Sequence, residues 1–200
     1  MTRIKLLFLL PLLSHLLAFA VSASGSDGPQ DILLPSPKPG QGLVKLSWFP
    51  AIRFFWHDTS GGPDPSAVLV AHGPTQSNTG FGMVRVFDDR LTIGPDRSSK
   101  LIGKSQGIYV SADKETVGLL MVMTLTFSDG DYAGSSLTVV GRNEIKLDVR
   151  EMPIIGGTGA LRFAEGFVRA HTHSYDPTFS YNVVVYNCYF KSNQLQNISR

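Results

Sequence analysis

Residues 137–167 read LTVVGRNEIKLDVREMPIIGGTGALRFAEGF, and this stretch decides the type of fold. Two β-like runs flank a charged loop, and Gly156-Gly157-Thr158-Gly159 follows the second run. From Ala160 to Val168 small residues alternate with bulky or charged ones, and a period of two is typical of a β-strand. A phosphate-binding loop would instead need an amphipathic helix after its glycines. The stretch therefore predicts strands, with the glycines forming a turn.

Short apolar runs separated by turn residues begin near Trp48 and continue through most of the chain. Eight of these runs are predicted to be strands: Ile52–Asp58, Ala67–Ala71, Gly82–Phe87, Ser105–Ser111, Val117–Phe127, Ser136–Asn143, Leu161–Thr172 and Tyr181–Phe190. No run is long and periodic enough to predict a helix. The pattern therefore indicates an all-β sandwich or barrel, and eight strands close a barrel whose interior holds side chains or one small ligand.

The run Val117–Met123 is apolar on both faces. A core helix is the competing interpretation, but Thr124, Thr126 and the turn at Asp129-Gly130 favour a strand. A strand that is apolar on both faces predicts that the outer wall of the fold is also covered, and a subunit interface would cover it. We therefore expect a homo-oligomer.

The first 23 residues have the features of a secretory signal peptide. Arg3 and Lys5 are basic, residues 6–21 are mostly apolar, and small residues precede a cleavage point after Ala23. A membrane anchor is the alternative, but Pro11 and the polar residues after it interrupt the apolar run, which is short for a bilayer span of about 20 residues. The chain is therefore expected to be secreted to the extracellular space.

Residues 24–47 are rich in Pro, Gly and Ser, and we expect them to form a flexible leader because they cannot bury enough apolar surface to offset their chain entropy. A single domain is expected over residues 48–192, followed by a C-terminal tail over residues 193–200. Asn197 in that tail begins an Asn-Ile-Ser sequon and is a candidate glycosylation site.

Charged residues are balanced and scattered along the chain. It has 18 Lys and Arg and 16 Asp and Glu, and cleavage after Ala23 removes Arg3 and Lys5, which makes the mature chain formally neutral. Nucleic acids and anionic membranes require clustered basic residues, and the densest group here is Arg97-Ser98-Ser99-Lys100. Neither a nucleic acid nor, after signal cleavage, a membrane is an expected partner.

Asp58 is the first candidate catalytic residue. It ends an aromatic run in which alternation puts Phe54, Trp56 and Asp58 on one face. Phe55 and His57 share the other face. Aromatic neighbours remove water from a carboxyl group, which raises its pKa and makes it a proton donor. Asp58 followed by Thr-Ser-Gly-Gly is also ordinary turn chemistry, so a structural role is the alternative.

Arg150 is the second candidate. Its guanidinium stays charged and can stabilise a developing phenolate or anchor a phenol oxygen. The alternative is a surface salt bridge with Glu151 or Asp148.

The sequence predicts no metal and no cofactor. His171 and His173 alternate along one strand and could ligate a metal, but no third ligand is placed beside them, so a surface pair is the preferred interpretation. The chain contains no dinucleotide fingerprint, no Gly-x-Ser-x-Gly elbow and no evident haem, copper or thiol-pair ligand set.

Six motifs occur in an order and spacing that resemble those of the plant dirigent family. They are the stretch 137–167, Phe54-Phe55-Trp56-His57-Asp58, Phe87-Asp88-Asp89-Arg90-Leu91-Thr92, Ser98-Ser99-Lys100, Gln106-Gly107-Ile108-Tyr109 and Tyr186-Asn187-Cys188-Tyr189. The resemblance extends from about Phe54 to Phe190. It implies an eight-stranded antiparallel barrel of the dirigent and allene oxide cyclase type.

The resemblance also implies a function. A dirigent barrel holds phenoxy radicals or quinone methides, made by a separate laccase or peroxidase, and directs stereoselective coupling, for example of coniferyl alcohol in lignan biosynthesis. The Asp of the family's His-Asp pair and an arginine matching Arg150 face the pocket, so Asp58 and Arg150 are the implied catalytic residues. Phe54, Trp56 and Tyr109 would stack on the substrate rings.

Two positions depart from the lignan-forming members. Asn143, an implied substrate-binding residue, lies where they place a second Asp, and an amide cannot deliver a proton. Ser111 replaces an aromatic pocket residue, while Tyr109 remains on the same face. Family members form trimers or dimers, which again implies a homo-oligomer. The alternatives are a non-catalytic barrel that binds an apolar phenolic or terpenoid ligand, and a cell-wall protein that aids lignin deposition.

Overall fold

The computed structural model describes residues 52–191 of the 200-residue chain. Within that range it has nine β-strands and one turn of 3₁₀ helix, Gly159–Leu161. The strands are β1 (Ile52–Thr59), β2 (Ala67–Ala71), β3 (Val84–Thr92), β4 (Leu101–Ser111), β5 (Gly118–Phe127), β6 (Ser136–Glu144), β7 (Arg150–Thr158), β8 (Glu165–Asp176) and β9 (Tyr181–Lys191). No helix in this range is long and apolar enough to cross a membrane. The expected signal peptide, leader, tail and Asn197 lie outside the described residues.

Eight of these strands form a closed antiparallel barrel, which confirms the predicted fold class. The strands are neighbours in the order β1, β9, β8, β7, β6, β5, β4, β3. β1 also pairs with β3, where Trp56 lies opposite Leu91, and this pairing closes the ring. β2 pairs only with the first half of β3, where Ala67 lies opposite Phe87. β2 therefore continues the line of β1 after a bend at residues 60–66.

The list of eight predicted strands is wrong in omitting β7, although the second β-like run noted in residues 137–167 falls within it. β7 contains Pro153 and two glycines, which a sequence pattern treats as strand breakers. The strand is nevertheless paired with both β6 and β8. Ile155 has no partner in β6, because Thr138 pairs with Gly156 and the next pair joins Val139 to Ile154. A bulge at this position absorbs the mismatch.

The prediction that the glycines form a turn is correct only for the last of them. Gly156 and Gly157 belong to β7, and the turn begins at Gly159, whose φ is +60°. A Cβ at Gly157 would lie 2.4 Å from the carbonyl oxygen of Leu161 and 2.6 Å from that of Ser136. Gly157 is therefore needed for the close approach of neighbouring backbone, not for a turn.

The interior of the barrel has an apolar end and a polar end. The apolar end lies where β5 finishes and β6 begins, and its fully buried side chains include Leu125, Leu137 and Leu161. The polar end lies where β1, β4, β6 and β8 finish and where β3, β5, β7 and β9 begin. Buried charged and polar side chains gather at the polar end, so this end is where a functional site can form.

The outer wall of β5 is partly exposed in a single chain. Met121 and Met123 point inward and are buried, whereas Leu120 and Val122 point outward and are 39% and 36% exposed. The sequence predicts that both faces of Val117–Met123 are covered, but within a single chain only the inner face is buried.

Candidate active site at the polar end of the barrel

β1 places three of the candidate residues in the interior. Phe54, Trp56 and Asp58 are buried and point inward. The backbone of β1 is held on one side by β9 and on the other by β3, so each of these side chains has a fixed position. His57 is also buried, but on the outside of the barrel wall.

Five aromatic side chains form a continuous wall inside the barrel, which we call the aromatic wall: Phe54, Trp56, Phe87, Tyr109 and Tyr186. Phe54 stacks on Tyr186 with ring centroids 5.5 Å apart. Trp56 contacts the edge of Phe87 at 5.7 Å, and Phe87 stacks on Tyr109 at 5.7 Å. Such a surface can stack against a flat phenolic ring.

A carboxyl pair, Asp58 and Asp89, lies beside the aromatic wall. Burial raises the pKa of Asp58 to about 6, while Arg85 and the Asn182 side chain act in the opposite direction. Asp89 has no exposed surface, and burial followed by the charge of Asp58 raises its pKa to about 8. Both groups can therefore carry a proton near neutral pH, as a general acid requires.

Ser66 attaches the bend between β1 and β2 to this pair. Its hydroxyl donates a hydrogen bond to Asp89 Oδ1 and accepts one from the backbone N–H of Thr59 at 3.0 Å. The indole N–H of Trp56 lies close to Asp89 without a well-formed hydrogen bond. These two hydrogen bonds hold the bend between β1 and β2 against the carboxyl pair.

Arg150 lies across the interior from the carboxyl pair, next to Tyr186. The strand register forms a row in which Ala170 pairs with Arg150 on one side and with Tyr186 on the other. Arg150 donates to the carbonyl oxygens of Ala170 at 3.4 Å and Ile145 at 3.5 Å, and it is buried. The salt bridge considered from the sequence is not formed with Glu151, whose carboxylate instead binds Arg169 at 3.3 Å.

Tyr109 and Asn143 are buried inside the barrel, whereas Ser111 lies at its rim. Tyr109 is buried in the aromatic wall, and burial raises the pKa of its phenol above the ordinary value. Asn143 is buried at the end of β6. The Ser111 hydroxyl donates to the carbonyl oxygen of Thr79 at 2.8 Å, so it holds the loop before β3 against the end of β4. Ser111 therefore serves the rim of the barrel.

Six buried side-chain atoms of the described residues have no hydrogen-bond partner: Trp56 Nε1, Asp58 Oδ1, Asp89 Oδ2, Asn143 Oδ1, Arg150 Nη2 and Tyr186 Oη. All six belong to inward-facing residues of the polar end. A buried polar atom without a partner costs about 1–3 kcal/mol, and most buried polar atoms in proteins are bonded. A guest with phenol or carbonyl oxygens would supply the partners, so this arrangement is suited to binding one.

Comparison with known proteins identifies the family. The sequence profile described as "Dirigent-like protein" matches residues 50–191. The chain belongs to the dirigent family. It is 43% identical over 192 residues to dirigent protein 21 of Arabidopsis thaliana, covering 94% of this chain and 98% of that protein.

Two further relatives of this dirigent chain have a more specific name. Pterocarpan synthase 1 of Glycine max is 48% identical over 144 residues, which cover 70% of this chain and 77% of that protein. The solved structure of the pterocarpan synthase dirigent protein PsPTS1 is 46% identical, with a TM-score of 0.66, and the match covers 70% of this chain and 93% of that one. Family membership supports a dirigent-type function and a role with phenolic radicals in general.

The histidine of the His-Asp pair has a structural role in this dirigent chain. His57 hydrogen bonds with the Tyr181 hydroxyl through Nδ1 and with Thr92 Oγ1 at 2.6 Å through Nε2. Arg97 lies over the Tyr181 ring at 5.0 Å and donates to Thr59 Oγ1 at 3.0 Å. These contacts join the hairpin after β3 to β1 and leave His57 out of the interior.

The candidate metal pair lies on the surface of the same dirigent chain. His171 contacts the carbonyl oxygen of Asp148 at 2.9 Å, and His173 contacts the edge of Phe55 at 5.6 Å. No group of three or more His, Cys, Asp or Glu residues that could hold a metal ion occurs within residues 52–191. A groove of about 610 Å³ opens between β7 and residues 162–165, but its lining contains none of the candidate residues.

Sequence reasoning misses three interior residues of the site. Phe87, Asp89 and Tyr186 all lie in motifs quoted for the family resemblance, yet none of them is among the predicted site residues. Strand alternation could have found them. Phe87 is an inward aromatic and Asp89 follows it by two positions, and Cys188 is buried two positions after Tyr186.

The structural role of His57 predicts a particular dependence of stability on pH. Burial, followed by Arg90 and Arg97, lowers the pKa of His57 from 6.5 to about 4. The stability that the neutral imidazole contributes is therefore complete above about pH 6.5 and is lost as pH falls from there towards 4. We expect the melting temperature of the wild type to fall over this range, and His57→Gln to show a shallower fall from a lower starting value.

His72→Gln, on an exposed loop residue, is the control and should follow the wild type. Thermal unfolding from pH 8 to pH 4 is the measurement. An acid slope for His57→Gln equal to that of the wild type would show that His57 does not resist protonation in the folded state.

Proposed function

We propose that this dirigent protein binds phenoxy radicals or quinone methides, made by a separate laccase or peroxidase, and controls the stereochemistry of their coupling or ring closure, as in lignan biosynthesis. The observation that carries the proposal is the set of six buried, unpartnered polar atoms beside the aromatic wall. The protein would act by holding a reactive guest in one orientation, which removes orientational freedom from the reacting groups.

Four kinds of side chain would take part. The aromatic wall stacks on the phenolic rings. Asp58 protonates the quinone-methide oxygen as a general acid, for which its raised pKa is suited. Arg150 holds an oxygen that develops negative charge, and Asn143 accepts or donates a hydrogen bond without transferring a proton.

Ring closure is the second reaction within this proposal, and the likeness to two pterocarpan synthases favours testing it. A quinone methide that carries its own hydroxyl can close a ring when its carbonyl oxygen is protonated and the hydroxyl oxygen attacks the methide carbon. The carbonyl oxygen gains one proton and the attacking hydroxyl loses one, so the step involves no net change in protons or electrons and needs no oxidant. Radical coupling, in contrast, needs the separate oxidase.

The test has two arms, each run with and without the protein and read by chiral chromatography. One arm couples coniferyl alcohol with a one-electron oxidant. The other uses a phenolic benzyl alcohol that loses water to a quinone methide and carries a second hydroxyl for ring closure. An enantiomeric excess in either arm supports the proposal and identifies the reaction. Tight binding of the phenol with racemic product in both arms would favour the non-catalytic binding barrel.

Asp58→Asn is expected to lower the stereoselective output by about 10²-fold, because an amide cannot protonate the quinone methide. Asp64→Asn, at an exposed position of the neighbouring bend, is the matched control and should behave as the wild type. The enantiomeric excess and the rate of product formation are measured in the responsive arm. Equal output from Asp58→Asn and the control would assign Asp58 a structural role at the turn.

We also propose that the protein is a homo-oligomer, a trimer or a dimer. Five apolar side chains form a row across the outside of β2 to β6, each opposite the next in the sheet: Val68, Val86, Ile108, Val122 and Val140. Val68, Val86 and Val122 are 47%, 42% and 36% exposed in the single chain. A continuous apolar row of this kind is typical of a surface that another chain covers.

Val122→Lys is expected to convert the oligomer to a monomer, because it places a charge within the apolar row. Sedimentation velocity of the wild type and the variant is the measurement. Ile93→Lys is the control, since Ile93 is also apolar and exposed but lies on the hairpin after β3. A monomeric wild type, or a Val122→Lys variant that stays associated, would contradict this interface.

Secretion to the extracellular space is proposed from residues 1–23. Protein recovered from the extracellular fluid of a plant tissue that expresses the full chain should begin after Ala23 when its N-terminus is sequenced. Protein that is retained inside the cell with Met1 in place would contradict the proposal.

A further inference from the structure

Asp58 and Asp89 face each other across the seam that closes the barrel. The β1–β3 register pairs Trp56 with Leu91 and His57 with Arg90, so the next step of the ladder brings Asp58 to Asp89. Residues directly opposite each other in antiparallel strands have Cβ atoms about 4.5–5.5 Å apart. Since both side chains are buried in the interior, their carboxyl groups lie side by side.

The surroundings of the pair supply limited compensation for negative charge. Asp58 Oδ1 and Asp89 Oδ2 are buried and have no hydrogen-bond partner. The other charged or titratable groups that act on the pair are Arg85 of β3, Tyr109 of β4 and Tyr186 of β9, together with Asp88 on the outer face of β3. Arg85 is the only cation in this set. Two ionised carboxylates would therefore leave one negative charge uncompensated.

Sharing a proton removes that excess charge. Like charges at this separation repel, and burial withdraws the water that would screen them. One proton held between the two carboxyl groups leaves a single negative charge, which Arg85 balances. The two unpartnered oxygens then provide a donor and an acceptor at the same place.

We propose that Asp58 and Asp89 share one proton and that Asp89 is the positioning residue that keeps this proton available to Asp58 at neutral pH. The inference rests on the proposed function, because it assigns Asp89 a role in the same proton transfer. Asp58 remains the group that contacts the guest, and Asp89 acts through it.

The transfer balances within one turnover. The O–H of Asp58 gives its proton to the quinone-methide carbonyl oxygen, which becomes a phenol hydroxyl. The second hydroxyl of the guest forms a C–O bond to the methide carbon and releases its proton to the carboxyl pair. The pair ends with one proton, as it began, and nothing is oxidised or reduced.

The pH range of the shared proton follows from burial. Burial raises the pKa of both groups, to about 6 for Asp58 and about 8 for Asp89, so the pair retains a proton up to about pH 8. In Asp89→Asn the amide oxygen can still accept the Ser66 hydrogen bond, but the amide cannot hold the proton. Asp58 alone would then lose its proton above about pH 6.

The experiment measures the rate of ring-closed product from pH 5 to pH 9 in wild type, Asp89→Asn and Asp131→Asn. The alkaline midpoint is expected to move from about pH 8 in the wild type to about pH 6 in Asp89→Asn. At pH 7.5 this variant should be slower by about tenfold or more, whereas at pH 5 it should lie within about twofold of the wild type. Asp131→Asn, exposed on the loop between β5 and β6 at the other end of the barrel, should follow the wild type.

Either of two results would overturn the inference. One is an unchanged alkaline midpoint in a folded Asp89→Asn protein. The other is an equal loss of rate at every pH with a lowered melting temperature, which would limit Asp89 to holding Ser66 in place.

A second measurement on the wild type distinguishes this inference from the proposed function and does not depend on the variant folding. In protein labelled with ¹³C at the aspartate carboxyl groups, NMR at pH 7 should show one proton held by the pair. Two fully ionised carboxylates at that pH would overturn the inference, even if product selection is observed. A racemic product from the wild type in both arms, with the shared proton present, would instead overturn the proposed function alone.

Discussion

The short pairing of β1 with β3 is the constraint on which the site depends. Only three residue pairs form this seam, yet they close the barrel. The same pairing brings Asp58 to Asp89 and sets Trp56 against Phe87 at 5.7 Å. β1 then bends at Ser66 and continues as β2, with the Ser66 hydroxyl bound to Asp89. Closure of the barrel and assembly of the carboxyl pair are therefore one structural event.

The two ends of the interior have opposite effects on stability. At the polar end, six buried side-chain atoms have no hydrogen-bond partner among the described residues, and leaving a buried polar atom unpaired costs about 1–3 kcal/mol. At the apolar end, fully buried residues such as Leu125, Leu137 and Val168 pack without such atoms and stabilise the barrel by about 1.5–3 kcal/mol each. The apolar end thus offsets the destabilisation that buried polar atoms impose on the polar end.

The sequence predicts structural features that depend on residues close together in the chain. It misses features that depend on pairing between distant strands. Alternation alone put Phe54, Trp56 and Asp58 on one face, because that pattern is local. Alternation also puts Asp89 on the inward face with Phe87, but its pairing with Asp58 depends on a strand that is distant in sequence. β7 was omitted because Pro153 and its glycines disguise a strand that two neighbouring strands hold in place. Local sequence signals, such as strand-breaking residues, are therefore misleading where pairing with distant strands decides the structure.

The amide at Asn143 affects the charge balance of the polar end, because it does not neutralise the guanidinium of Arg150. Gly141 packs against Met152, and continuing this β6–β7 alignment by two residues places Asn143 across from Arg150. A carboxylate at that position would pair with the guanidinium and neutralise it. With an amide there, the guanidinium charge of Arg150 remains available for an oxygen of the guest, and its Nη2 has no partner. Under the proposed function, acid chemistry is then confined to the carboxyl pair on the opposite wall, so a guest bound between the two walls would be protonated at one end and stabilised at the other.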